Sequence, residues 1–132
     1  MAVYASAEQL NTIVKELFEG IFDDELVGPK LRKSKLVIRY DVSDPDTTVW
    51  VDTTKSRVAF GDYEHPASIQ LAMKGNTFHA FMSQNATIPD LVGKKEVKVI
   101  GSLAKVMKLL PLVKKAYEDY PRIARNHNVS VE

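Results

Sequence analysis

Leu10, Ile13, Val14, Leu17, Phe18 and Ile21 each have partners three or four residues away, the spacing that gathers side chains on one face of a helix. Ser6, three residues before Gln9, reads as a capping box that starts this helix, and Gly20 as its stop. So short a helix is not held by propensity, so its apolar stripe requires a surface to pack on. A basic linker around Gly28-Pro29 follows. From Leu36 the period changes to two. Leu36, Ile38, Tyr40 and Val42 alternate with Lys35, Val37, Arg39 and Asp41, which predicts a half-buried strand. Asp44-Pro45-Asp46 is a turn, because proline presets its backbone angle and the aspartates bond back to nearby amides. A second strand holds Val49, Trp50 and Val51 and ends near Thr53. Thr54-Lys55 reverses the chain into a third, Arg57 to Phe60, stopped by Gly61. Ala67, Ile69, Leu71 and Met73 alternate with Ser68, Gln70 and Ala72 in a fourth. Connections this short favour antiparallel pairing.

The helical period then returns. Phe78, Phe81 and Met82 mark a short helix starting near Gly75-Asn76. Ile88, Leu91 and Val92 mark another, with Pro89 in its first turn and Gly93 at its end. Glu96 to Ile100 is a fifth strand, with Val97 and Val99 on one side. Gly101-Ser102 opens a helix whose apolar stripe reads Leu103, Val106, Met107 and Leu110. Pro111 kinks or ends it. A further turn of helix runs to Tyr117, with Pro121 beyond it and a polar, frayed tail from Arg125. Strands in a run, followed by helices, make this an α+β fold with helices over one face of a five-stranded, mixed or antiparallel sheet.

Composition sets limits on this picture. At 132 residues the chain fits one soluble domain over 1–132, and 45% hydrophobic residues suffice for one core. The net charge of +1 gives no overall field that would attract nucleic acid. The charges are nevertheless segregated. Glu16 to Glu25 is acidic, Lys30 to Arg39 is basic, and Lys94, Lys95, Lys98, Lys105, Lys108, Lys114 and Lys115 form a second basic run. Such runs are mostly solvated faces, and a minority dock anionic headgroups. The absence of cysteine excludes disulfides and thiol catalysis. No segment has the form of a signal peptide and no apolar stretch approaches the roughly 20 residues of a membrane span.

Catalytic patterns are missing as well. His65, His79 and His127 have no metal-ligand spacing, and His79 reads as a surface or rim residue. Asp44 and Asp46 are spaced like the start of a calcium loop, but its glycine and closing glutamate are lacking, which leaves the turn reading. There is neither a Gly-x-Ser-x-Gly elbow nor a glycine-rich phosphate cradle. No metal, cofactor or catalytic residue is therefore expected. The methionines beside bulky residues on the late helices fit a packed core or a lined cavity equally.

The order of three blocks carries a resemblance. DPDTTVWVDTTKSRVAFG, ASIQLAMKGNTFHAFM and KKEVKVIGSLAKVMKLLPLV resemble, in sequence, a tryptophan hairpin, a strand running into an apolar helix, and a Lys-rich strand, glycine and apolar helix of the sterol carrier (non-specific lipid transfer) family. The resemblance covers residues 7–115 and leaves 116–132 as a helical extension and polar tail. The longer passage from Asn85 to Gly93 departs from it and would reshape one mouth of the site. The resemblance implies an apolar tunnel between sheet and helices that binds and transfers a fatty acid, fatty acyl-CoA, sterol or phospholipid without catalysis. It implies a lining of Phe78, Phe81, Met82, Leu103, Val106, Met107 and Leu110 over a floor of Trp50, Ile69 and Val99. Lys94, Lys105, Lys108 and Lys114 would meet a headgroup or touch a membrane surface. The chain lacks a peroxisomal tripeptide at Ser130-Val131-Glu132, which implies a cytoplasmic protein. The alternative is a protein-interaction or scaffold module with the same fold and a filled core.

Overall fold

The computed structural model describes residues 2–131. Helix α1 (Ala7–Asp23) starts at Ser6, whose hydroxyl accepts the Gln9 amide at 3.1 Å. The Gln9 carboxamide oxygen caps the Ala5 amide at 2.7 Å. Gly20 does not stop the helix. Ile21 and Phe22 beyond it are buried, and that burial outweighs the roughly 1 kcal/mol that an interior glycine costs. The supposed linker at Gly28-Pro29 is a second helix, α2 (Val27–Lys33), anchored by the fully buried Leu31. Pro29 is tolerated because amides of a first turn have no intrahelical acceptor to lose.

Five strands follow as one sheet in the order β3-β2-β1-β4-β5. They are β1 (Val37–Ser43), β2 (Thr47–Asp52), β3 (Arg57–Phe60), β4 (Ile69–Lys74) and β5 (Val97–Ile100). Three of the joins are antiparallel, as the short connections predict. The central one, β1 to β4, is parallel, with Ile38 opposite Ile69 and Tyr40 opposite Leu71. The reason lies in residues 61–68, which cross the outer face of the sheet instead of closing a hairpin. Trp50 stands on that face and ties the crossing down. Its indole N–H donates to the Gly61 carbonyl at 2.6 Å, the Tyr63 ring packs 5.4 Å away, and the Arg39 guanidinium lies 5.3 Å from its ring.

The inner face carries the core. Ile38, Tyr40 and Val42 from β1, Val49 and Val51 from β2, Ile69, Leu71 and Met73 from β4, and Val97 from β5 are all buried there. Over them lie α1, α3 (Gly75–Met82), α4 (Ile88–Gly93), α5 (Leu103–Leu109), a 3-10 turn (Leu110–Val113) and α6 (Lys114–Asn126). Pro111 ends α5 as expected, by converting the chain to the 3-10 turn. Pro121 does not end α6. Tyr120, Ile123 and Ala124 are buried around it, and their packing holds the helix through the proline. The tail is not frayed either. Val129 is 2% exposed, its amide reaches the Ala124 carbonyl at 2.8 Å, and Gln9 Nε2 donates to the His127 carbonyl at 2.7 Å.

Candidate functional site

Between β1 and β4 on one side and the C-terminal helices on the other lies a cavity of ≈ 30 Å³. Ile38, Tyr40, Ile69 and Leu71 form its floor because the period of two turns them toward the helices. Phe78, Phe81 and Met82 come from α3, Val106 and Leu109 from α5, and Leu110 and Val113 from the 3-10 turn. Ala116 and Tyr117 of α6 close one side, with Phe18 and Ile88 at the edges. The volume holds about two water molecules. A long-chain ligand therefore requires these walls to part.

Two hydroxyls, those of Tyr40 and Tyr117, are the polar side-chain groups of this lining. Burial pushes both phenols above their ordinary ionisation range, so both are neutral at any physiological pH. The Tyr117 ring stands edge-on to Phe81 at 5.2 Å, and its hydroxyl is buried without a hydrogen-bond partner among the described residues. An unsatisfied buried hydroxyl costs about 1–3 kcal/mol. Tyr117→Phe is therefore expected to raise the unfolding free energy by about 1 kcal/mol in urea denaturation.

Behind the cavity a polar chain joins three elements. Tyr4 and Tyr120 share a hydrogen bond of 2.5 Å, and the Tyr120 hydroxyl meets His79 Nδ1 at 2.5 Å. His79 is half-buried, and desolvation lowers its pKa from the ordinary value of 6.5, so the ring is held neutral. Burial raises the Tyr120 phenol to about 12. The set fastens the N-terminal segment and α6 to α3. Among the described residues no group of three or more His, Asp and Glu side chains is placed to hold a metal ion.

Six of the ten expected lining residues border the cavity, namely Ile69, Phe78, Phe81, Met82, Val106 and Leu110. The other four are elsewhere. Trp50 is on the outer face of the sheet. Val99, opposite Leu71, packs beside the core without reaching the cavity. Leu103 and Met107 point to solvent, 37% and 40% exposed. The stripe facing inward is Val106, Leu109, Leu110 and Val113, continued by Ala116 and Tyr117. That stripe keeps helical spacing straight through Pro111, and this is the signal by which the sequence could have located it. Of the four expected docking lysines, Lys105 and Lys108 border a surface depression near Leu109, while Lys94 and Lys114 are exposed outside it.

The α+β arrangement, a five-stranded mixed sheet with helices packed on it, agrees with comparison to known proteins. The sequence model of the SCP-2 sterol transfer family matches residues 14–114. The chain belongs to this family. Members of the family bind and transfer lipids. Sterol carrier protein 2 from Yarrowia lipolytica, solved in its apo form, is similar in fold, with a TM-score of 0.69 at 16% identity over 89% of this chain and 98% of that one. A palmitated sterol carrier protein-like protein from Aedes aegypti gives 0.61 at 17% identity, covering 82% and 94%. A sec-alkylsulfatase from a Pseudomonas species carries a similar domain, with a TM-score of 0.57 at 13% identity over 64% of this chain and 14% of that enzyme. The fold thus occurs both alone and as a small part of an enzyme. No curated protein matches the chain in sequence. Among the described residues no helix is long and apolar enough to cross a membrane.

Proposed function

We propose that the protein binds the hydrocarbon part of a lipid between its sheet and its C-terminal helices, and passes it on without chemistry. The ligand classes are a fatty acid, a fatty acyl-CoA, a sterol or a phospholipid, and the compartment is the cytoplasm. The observation that carries this reading is the lining itself, fifteen side chains of which only two bear a hydroxyl and none a charge. Removing about 16 methylenes from water is worth at most roughly 13 kcal/mol, from which ordering of the ligand subtracts heavily. Micromolar binding then requires no particular polar contact.

The walls that yield are α5 and the 3-10 turn. Ligand sites of this class hold roughly 300–1,000 Å³, far more than the closed cavity. Helix α5 buries only Val106 and Leu109, and at Pro111 its α-helical geometry gives way to the 3-10 turn before α6 begins. Outward movement of this segment enlarges the cavity without breaking the sheet.

The small closed volume favours a second reading, an interaction module whose core stays filled. Native mass spectrometry of the protein, purified from bacteria without detergent, separates the two. The lipid reading expects an added mass of a few hundred daltons, lost on extraction with organic solvent. A bare polypeptide mass, unchanged after incubation with palmitate, a sterol or a phospholipid, fits only the filled module.

A further inference from the structure

Two basic runs that lie far apart in the sequence converge on one depression. Lys30, Lys33 and Lys35, from α2 and the residues after it, face Lys105 and Lys108 of α5 across it. All five are exposed. Among the described residues no acidic side chain lines the depression, and none of the five lysines takes part in an ion pair. The floor is apolar, made in part by Leu109 and Leu112. Leu109 is also a wall of the inner cavity, so the charged depression and the apolar interior meet at this side chain.

Resting on the lipid-binding reading, we propose that this five-lysine depression is the headgroup subsite for an anionic amphiphile, whose chain enters the cavity past Leu109. Like charges gathered without counter-ions repel one another, and an anion placed among them relieves that repulsion. The apolar floor suits the first carbons of the chain. The lysines remain in water, so a carboxylate or a phosphate stays hydrated and does not meet the desolvation cost of the interior. The α5 movement that opens the cavity also displaces Lys105 and Lys108, which links headgroup contact to opening.

The test compares palmitate with 1-hexadecanol, which has the same chain length and no charge, by calorimetric titration at low salt. The variant carries Lys30→Gln, Lys33→Gln, Lys105→Gln and Lys108→Gln. Lys35 is spared because its φ of 52° is left-handed. The wild-type protein is expected to bind palmitate about tenfold more tightly than hexadecanol, and the variant to bind the two alike with its hexadecanol affinity unchanged. Equal binding of the two by the wild type, or a preference that survives in the variant, overturns the headgroup assignment and leaves the lipid reading standing. Binding of neither ligand overturns the headgroup assignment and removes fatty acids from the proposed ligand classes. If the variant loses only its binding to phosphatidylglycerol vesicles and keeps its preference for palmitate, the depression is a membrane contact and the assignment fails.

Discussion

Phe81→Asp is expected to weaken palmitate binding about a hundredfold, whereas Met107→Asp leaves the dissociation constant within about twofold. Both residues belong to apolar stripes of short helices, and the sequence treats them alike. The structure separates them. Phe81 borders the cavity and packs against Tyr117, so a carboxylate there faces the hydrocarbon of any ligand. An ionised group deprived of water by an alkyl chain costs several kcal/mol, which appears as lost affinity. Met107 is 40% exposed and lines no part of the cavity. The aspartate at 81 is tolerated in the free protein because Phe81 is only partly buried, and circular dichroism checks that both variants retain the fold. The same titration reads both affinities. Loss of binding in Met107→Asp with retention in Phe81→Asp would reverse the assignment of the inward face.

Gly28→Ala is expected to cost about 3 kcal/mol of stability, and Gly20→Ala to add about 0.5–1 kcal/mol. A Cβ at Gly28 would sit 2.4 Å from the backbone carbonyl oxygen of Phe22, which α1 holds in place. The only relief is to push α2 outward. That movement unseats Leu31 from the core and carries Lys30 and Lys33 away from the lysine cluster. At Gly20 an added Cβ meets nothing within 4 Å, so alanine simply lowers the entropy that the helix loses on folding. Urea denaturation of the two variants beside the wild type gives both differences. Equal stability of all three would mean that the close approach of α2 to α1 is not fixed.

The period of two is sufficient to find β1 and β4, because burial on one face forces apolar side chains to alternate, whereas the turns around them mark β2 and β3. Ile38, Tyr40 and Val42 stand where that pattern puts them. The parallel join of β1 and β4 was not legible. It depends on residues 61–68 crossing the outer face, where Trp50 binds Gly61, and no periodicity encodes which side of a sheet a loop takes. Glycine and proline misled at Gly20, at Gly28-Pro29 and at Pro121 for a common reason. The local costs at Gly20, Gly28 and Pro121 are about 1–3 kcal/mol, and burial of Ile21 and Phe22, of Leu31, and of Tyr120 and Ile123 outweighs them, while Pro29 sits in a first turn that has no intrahelical bond to lose. The cavity wall was half legible. The apolar pattern groups Val106 and Leu110 with Leu103 and Met107, whereas Leu109 and Val113 carry the inward face across Pro111. Both basic runs of the lysine cluster are legible, but their convergence is not, since the packing of α2 beside the 3-10 turn brings the two halves together.

A structure of the protein with palmitate bound locates the ligand directly. The expected result is a chain lying between β1–β4 and α5–α6, touching Ile38, Ile69, Phe81 and Tyr117, with Val106 and Leu109 displaced outward and the sheet unchanged. The contradicting result is a chain held elsewhere, such as the outer face beside Trp50 and Tyr63, over an interior still closed to the present ≈ 30 Å³.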